Sequence, residues 1–191
     1  MQVIAGIDEV GRGCLAGPVV VAAVILPDTF DDEYIPYIAQ IKDSKKLSEK
    51  KRNVLDEVIK CVALDYSIAF IDNNTIDIRN IRNATLLGMQ SAYKGLNITP
   101  DILFVDGDFY TPVNGEKYEC IPQGDSKVLA ISAASILAKV ARDTYCKNVM
   151  HVQYPVYKWD KNKAYGTKEH YESIKNNGIT PFHRKSFDLH V

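Results

Sequence analysis

Residues 6–18 of this 191-residue chain read Gly-Ile-Asp-Glu-Val-Gly-Arg-Gly-Cys-Leu-Ala-Gly-Pro. The stretch places two adjacent carboxylates, Asp8 and Glu9, at the end of a short apolar run and directly before a glycine-rich turn. Neighbouring carboxylates resist ionising together when they are partly buried, so such a pair is typical of sites where a cation or a proton-transfer task stabilises it. The glycines allow unusual backbone dihedrals and the close approach of a ligand. This segment therefore predicts a metal site beside a backbone surface suited to phosphate chemistry.

The apolar segments on both sides of this stretch are predicted to be strands. Val3–Asp8 leads into the glycines, and Val19–Leu26, which is rich in β-branched residues, follows them. The letters G-x-G-x-x-A at positions 11–16 also match a dinucleotide-binding fingerprint, but that motif needs a helix that begins at the glycines. We therefore expect a strand, a turn and a second strand. A helix over residues 19–26 would instead favour a dinucleotide-binding oxidoreductase.

The rest of the chain alternates between helical and strand patterns, which predicts an α/β fold. The predicted helices run from an N-cap at Ser48 to Val62 and over Ile81–Leu96, Leu129–Lys147 and Lys168–Asn176. The further predicted strands are Leu64–Ile71, Ile102–Val105 and Tyr118–Ile121, and Val152–Gly166 is predicted to be a loop. We expect one compact unit, with a main domain over residues 1–150 and a C-terminal loop and helix over residues 151–191.

The composition argues against several classes of protein but does not identify a ligand. The formal net charge is −1, which decides nothing about nucleic acid because binding needs a local basic face. The four cysteines lie far apart and form no C-x-x-C pair, which argues against a zinc site and a disulfide framework. The longest apolar run is far shorter than the roughly 20 residues of a membrane helix. We expect a cytoplasmic monomer with no membrane partner.

Two further acids stand where they can join the first pair. Asp106 ends the predicted strand at 102–105, and Asp125 stands just ahead of the helix predicted from residue 129. If the first and fourth strands are neighbours, these carboxylates converge with Asp8 and Glu9. Carboxylate oxygens are preferred ligands of hard divalent cations, and two such ions about 3.5–4 Å apart support phosphodiester hydrolysis. The alternative is that each acid is a solvated cap at the end of a strand.

These motifs belong to a set of six separated blocks that spans nearly the whole chain. The blocks are Gly6-Ile-Asp-Glu-Val-Gly-Arg-Gly with Ala16-Gly-Pro, Asp43-Ser-Lys-Lys-Leu47, Val105-Asp-Gly107, Gly124-Asp-Ser126, Ala133-Ala-Ser-Ile-Leu-Ala-Lys-Val-Ala-Arg-Asp143 and Tyr165-Gly-Thr-Lys-Glu-His170. In this order they resemble bacterial ribonuclease HII. The resemblance implies an RNase H-like fold, with a five-stranded mixed sheet flanked by helices and a small helical C-terminal extension.

The resemblance also implies an activity. It predicts an endonuclease that hydrolyses the RNA strand of RNA/DNA hybrids and cuts 5′ of single ribonucleotides embedded in duplex DNA. The expected products carry 3′-hydroxyl and 5′-phosphate ends, and the expected chemistry is two-metal-ion catalysis with manganese or magnesium. The expected partners are therefore these two kinds of duplex.

The resemblance assigns roles to individual residues. The family's metal-binding catalytic acids fall on Asp8, Glu9, Asp106 and Asp125. Its substrate-binding Gly-Arg-Gly element and its substrate-sensing tyrosine fall on Gly11, Arg12, Gly13 and Tyr165. A partner for the 2′-hydroxyl is what separates RNA from DNA, which gives these residues a physical task. Lys45, Lys46 and Lys168 then become candidate contacts to backbone phosphates.

Two residues depart from the family pattern, and two functional alternatives stay open. Cys14 stands where the family usually has proline, and Ala164 stands where glycine commonly precedes the tyrosine. Both leave open the preference for single ribonucleotides over long hybrids. Asp143 is predicted to form a structural ion pair rather than to bind metal, because Arg142 is beside it and Lys139 lies one helical turn earlier. The alternatives are a non-catalytic nucleic-acid-binding module on the same fold and a nuclease such as a Holliday-junction resolvase.

Overall fold

The computed structural model describes residues 2–41 and 47–190, and in this part of the chain five strands form one mixed sheet. The strands are β1 (Ile4–Val10), β2 (Val19–Ile25), β3 (Asp65–Ile71), β4 (Ile102–Asp106) and β5 (Tyr118–Ile121). Their order is β3-β2-β1-β4-β5, with antiparallel pairing from β3 to β1 and parallel pairing from β1 to β5. The expected five-stranded mixed sheet is confirmed.

The position of β2 in the sheet explains why its sequence is apolar at every position. All seven of its residues are buried, because its alternating side chains face two different helical layers. Val20 and Val24 point toward one layer, and Val21 and Ile25 toward the other. This strand is the segment that distinguishes the two interpretations of the glycine motif. Since Val19–Ile25 is a strand and no helix begins at the glycines, the dinucleotide-binding alternative is wrong.

The described residues contain seven α-helices. They are α1 (Ile35–Ile41), α2 (Glu49–Val62), α3 (Asn73–Lys94), α4 (Leu129–Tyr145), α5 (His151–Gln153), α6 (Trp159–Asn162) and α7 (Lys168–Asn177). Helices α1, α2 and α4 share one core with one face of β2, and α3 covers the other face. None of the helices in residues 2–41 and 47–190 combines the length and apolar character needed to cross a lipid bilayer.

Several boundaries differ from the sequence prediction. Helix α1 was not predicted. Helix α3 begins at Asn73, where Asp72 caps its first turn, and has a kink at the non-helical residue Asn80. The part of α3 after the kink starts at Ile81, as predicted, and the helical turn before it was not predicted. The long helix predicted to reach Lys147 leaves the α-helical form at Tyr145 and continues as a π-helical turn over Cys146–Met150. The predicted loop over residues 152–166 contains short helical turns as well as loop.

Close packing between β1 and α4 fixes the position of the strand that contains Asp8 and Glu9. Gly6 lies so near α4 that an added Cβ would come within 2.2 Å of the Ala130 carbonyl carbon. Ala130, Ala133, Ala134 and Ala138 are all buried, as expected of small residues that let a helix lie close on a sheet. The strand that ends in Asp8 and Glu9 is therefore held directly against α4.

Candidate active site

The ends of β1 and β4 bring the predicted acids to one cleft. The two strands are parallel neighbours, with Ile7 opposite Val105, so the residues that follow them emerge at the same edge of the sheet. A cleft of about 370 Å³ at this edge is lined by all four predicted acids, Asp8, Glu9, Asp106 and Asp125. The conditional expectation that strand neighbours would make these carboxylates converge is met.

Hydrogen bonds from backbone and side chains orient three of these acids. The Gly124 N–H donates to Asp106 Oδ1 over 2.6 Å, which joins the end of β4 to the turn that carries Asp125. The Glu9 N–H donates to Asp8 Oδ1 over 2.7 Å. Arg12 Nη1 donates to Glu9 Oε1 over 3.3 Å, so the arginine of the glycine loop lies against the acidic pair.

Burial makes this acidic arrangement electrostatically costly. Asp8 is only 5% exposed, and burial together with the neighbouring Glu9 carboxylate raises its pKa well above the usual 3.8. Burial also raises the pKa of Glu9, although the Arg12 guanidinium opposes the shift. Both carboxyls therefore resist ionisation in the absence of a further cation.

The chemistry of the donors fits a hard divalent cation. All four acids offer carboxylate oxygens, and Glu9 Oε2 is buried without a hydrogen-bond partner in the described part of the chain. Across residues 2–41 and 47–190, no three His, Cys, Asp or Glu side chains lie close enough together to hold one ion. The acids thus surround a cleft and do not form a closed coordination sphere. Magnesium needs few protein ligands, because it retains water and binds substrate phosphates.

Two buried arginines hold the glycine loop beside this cleft. Arg184 donates to the carbonyl oxygens of Gly11, Arg12 and Gly17 over 2.8–3.0 Å. Arg142, from α4, donates to the carbonyl oxygens of Ala16, Pro18 and Lys163 over 2.9–3.1 Å. An added Cβ at Gly11 would lie 2.1 Å from Arg142 Nε, and the φ of +96° at Gly11 also favours glycine. Neither arginine was selected from the sequence, because their partners lie elsewhere in the chain.

Tyr165 also reaches the cleft, from the C-terminal part of the chain. Its side chain is 39% exposed and lines the cavity together with Gly11. Tyr165 pairs with Cys14 in an isolated β-bridge, and the Leu15 N–H donates to the Ala164 carbonyl over 2.9 Å. Both departures from the family pattern therefore lie at the same contact between two loops. Ala164 has a φ of +63°, a region that favours glycine, so the alanine introduces backbone strain next to Tyr165.

The other predicted substrate contacts that the structure describes do not line the cleft. Arg12 and Gly13 are exposed on the glycine loop. Lys168 is exposed in the first turn of α7, 3.8 Å from Glu172, and is not among the residues that line the cleft. The predictions for Lys45 and Lys46 lie outside the described residues.

Three residues of the cleft wall were missed as site residues by sequence reasoning. They are Arg52 from α2 and Ser135 and Lys139 from α4. Lys139 Nζ lies 2.9 Å from Asp143 Oδ1, which confirms the predicted ion pair, and also 5.3 Å from the centre of the Tyr165 ring. The only sequence signal for Ser135 and Lys139 was their spacing. They lie one turn apart, on the same face of a helix that packs against β1.

Comparisons with known proteins agree with this geometry. A family model described as Ribonuclease HII matches residues 5–190. A ribonuclease HII from Christiangramia forsetii is 47% identical over 186 residues, which cover 97% of this chain and 90% of the relative. One from Endomicrobium trichonymphae is 50% identical over 186 residues, which cover 96% of this chain and 84% of the relative. The crystal structure of ribonuclease H2 from Pyrococcus horikoshii OT3 has a TM-score of 0.76 at 25% identity, and the match covers 98% of this chain and 95% of that chain.

The mixed sheet, its flanking helices and the acidic cleft define a nuclease of the RNase H-like fold. The chain belongs to the ribonuclease HII family. Family membership makes the protein a hydrolase, an endoribonuclease of the ribonuclease H type that acts on RNA/DNA hybrids.

The raised pKa of Asp8 predicts that its charge destabilises the metal-free protein. The penalty is absent below the usual pKa of 3.8, grows as pH rises toward the raised folded-state pKa, and is complete above it. At pH 7 with a chelator present, Asp8→Asn should raise the midpoint of thermal unfolding by about 2–4 °C, the shift expected for about 1 kcal/mol in a domain of this size. The gain should shrink as the pH falls toward 3.8.

Asp28→Asn is the matched control, because Asp28 is exposed and its charge is solvated. Calorimetry of both variants across pH checks the prediction. An unchanged or lowered midpoint for Asp8→Asn at pH 7 would contradict it.

Proposed function

We propose that this protein cuts duplex DNA on the 5′ side of single embedded ribonucleotides, in addition to the RNA strand of hybrids. The observation that carries the proposal is that one cleft contains both the four acids and the two segments suited to contact ribose, the glycine loop and Tyr165. Such a cut breaks the bond between phosphorus and the 3′ oxygen of the preceding nucleotide. It leaves 3′-hydroxyl and 5′-phosphate ends and starts the removal of the ribonucleotide.

Asp8, Glu9, Asp106 and Asp125 are the residues that would hold divalent ions. Bound magnesium or manganese would supply an activated water and would neutralise charge on the leaving oxygen. The buried oxygen of Glu9 and the raised pKa of Asp8 support this assignment, because a cation would relieve both costs. The hydrogen bond from Gly124 keeps Asp106 facing the same edge of the sheet as Asp8.

Cations on the cleft wall would position the substrate phosphate. Arg52 and Lys139 line the same cleft as the acids, and Arg12 lies beside Glu9. Guanidinium groups match the geometry of phosphate oxygens, and an ammonium group adds a compact positive charge. Lys139 is held by Asp143, which leaves it extended toward Tyr165.

The glycine loop is prepared to donate hydrogen bonds to a sugar or phosphate. Arg184 occupies the carbonyl oxygens of Gly11 and Arg12, whereas the amide N–H groups of Arg12 and Gly13 have no acceptor within residues 2–41 and 47–190. A 2′-hydroxyl accepts such bonds, and a deoxyribose lacks this group. Tyr165 lines the same cleft, where its ring can pack on the sugar.

The C-terminal segment would then be part of the substrate site. Residues 151–191 contribute Tyr165 and Arg184, and Lys168 would reach phosphates farther along the duplex. We therefore propose that the domain over residues 1–150 and this segment act as one unit.

The central test is cleavage of a duplex that carries one ribonucleotide, with and without manganese. Wild type should cut it in the presence of the metal and should leave the all-deoxy duplex intact. Asp106→Asn should reduce cleavage below detection while preserving the fold, because it removes a ligand charge but little volume. The 5′-phosphate is checked by ligation of the recovered fragment.

Asp108→Asn serves as the control, since Asp108 is an exposed acid two residues away. It should cut at the wild-type rate. Undiminished turnover by Asp106→Asn would contradict the catalytic assignment, and cleavage of the all-deoxy duplex would contradict ribose recognition.

Tyr165→Ala should lower cleavage at a single ribonucleotide by about tenfold or more, because it removes a ring contact worth about 1.4 kcal/mol at the sugar. Tyr165→Phe separates the ring from the hydroxyl, since it retains the packing surface alone. Tyr37→Ala is the control, because Tyr37 is 40% exposed on α1 and nearly matches the exposure of Tyr165. Unchanged kcat/KM for Tyr165→Ala would remove this residue from recognition.

A further inference from the structure

Two arginines from distant parts of the chain stack on one aromatic ring beside the cleft. The Arg12 guanidinium carbon lies 5.4 Å from the centre of the Phe109 ring, and that of Arg82 lies 5.1 Å from it. These distances are typical of cation–π contacts. We call Arg12, Phe109 and Arg82 the arginine–phenylalanine stack.

Two members of the stack follow the strands β1 and β4, which contain three of the acids. Arg12 follows Glu9 by three residues, and Phe109 follows Asp106 by three residues after a turn at Gly107 with a φ of +98°. Arg82 comes from α3, which precedes β4 and Phe109 in the chain. The stack therefore begins at the rim of the cleft and extends toward α3.

The charge of Arg82 is not neutralised within the described residues. Arg82 is exposed and has no carboxylate within 4.0 Å in residues 2–41 and 47–190. A cation–π contact restricts a guanidinium but leaves its N–H groups free to bind an anion, so the side chain is already ordered before a ligand arrives. Arg12 uses one N–H group on Glu9 and retains the others.

The surface next to Arg82 is a concave wall with many polar groups. A cavity of about 580 Å³ follows α3 and includes Arg79, Asn83 and Gln90. Asp77 is also on this wall, but it already accepts hydrogen bonds from Lys185 and Ser186. The wall also includes the apolar residues Ile78, Leu86 and Leu87, and Gln90 donates to the Thr111 carbonyl. It therefore presents the Arg79 guanidinium and the Asn83 amide to a ligand, while its single acid is engaged within the protein.

We propose that the arginine–phenylalanine stack binds the phosphate backbone of the substrate duplex on the α3 side of the cleavage position. The inference rests on the proposed function, because it places one arm of the duplex that the cleft would cut. A duplex strand carries a phosphate about every 3.4 Å along its axis, so two guanidiniums on one ring fall within a few phosphates of each other. Continuity with the cleft and the unpaired positive charge both favour a nucleic-acid backbone as the occupant.

Binding of a fluorescent duplex with one ribonucleotide, measured by polarisation in metal-free buffer, tests the proposal. Arg82→Gln should raise Kd roughly three- to tenfold at low salt and should reduce the slope of log K against log salt by about one. Phe109→Leu should give part of the same loss, because it removes the shared ring but keeps an apolar side chain. Both variants should retain the wild-type circular dichroism spectrum.

Shortening the duplex shows where the contact lies. The duplex has one arm on each side of the ribonucleotide, and the proposal places the stack on one of them. The difference in Kd between wild type and Arg82→Gln should disappear when that arm is removed up to the ribonucleotide. It should persist when only the opposite arm is removed. Lys94→Gln is the control, since Lys94 is exposed on the same helix about 18 Å away and carries the same charge. It should bind as wild type does.

Three results would overturn the proposal. They are an unchanged Kd and salt slope for Arg82→Gln, an equal loss for Lys94→Gln, and a loss that persists whichever arm is shortened. Parallel cleavage assays separate this proposal from the function on which it rests. Wild type that binds the duplex but does not cut it would contradict the proposed function, whereas normal cleavage with an unaffected Arg82→Gln would contradict only the stack.

Discussion

Hydrogen bonds from two buried guanidiniums to backbone carbonyls are the interaction on which the site depends. Arg142 and Arg184 are fully buried, and together they donate to six carbonyl oxygens of the glycine loop and its surroundings. Burial lowers the pKa of Arg184 to about 10, so the side chain still carries its charge at neutral pH. An isolated buried charge is costly, and the carbonyl dipoles here take the place of solvent. The loop conformation and the two arginines therefore stabilise each other.

The two halves of residues 8–13 are held by different parts of the structure. Asp8 and Glu9 belong to β1, which α4 and the sheet hold in place, whereas Gly11 and Gly13 belong to a loop held by Arg184. The carbonyl oxygens of that loop turn inward to the arginine, which leaves amide groups for an external acceptor. Tyr165 is tied to the same loop through Cys14, so movement of either segment would disturb the other. The left-handed backbone of Ala164 lies at this junction, so its strain bears directly on the contact between the two segments.

The sheet and the acids could be predicted because their signals are local. The uninterrupted apolar run of β2, the Ser48 cap of α2 and the acids at strand ends each depend on a few neighbouring residues. The missed features depend on contacts that the sequence does not display. Arg184 bonds to residues 167–173 positions away, and the helical turn of α3 that precedes the kink at Asn80 is capped by Asp72. The short turns over residues 151–162 pack around Trp159, a buried side chain whose surroundings come from several elements.

The dependence of the site on the buried arginines is tested most directly by measuring ribose discrimination in Arg184→Lys. This variant keeps the positive charge but loses the planar guanidinium that reaches three carbonyl oxygens. The quantity to measure is the ratio of Kd values for an all-deoxy duplex and the same duplex with one ribonucleotide, in metal-free buffer with folding checked by circular dichroism. We expect the folded variant to bind both duplexes with a ratio near unity, while wild type prefers the ribonucleotide. A folded Arg184→Lys variant that retains the wild-type ratio would contradict the claim that this arginine holds the glycine loop in the conformation proposed to contact ribose.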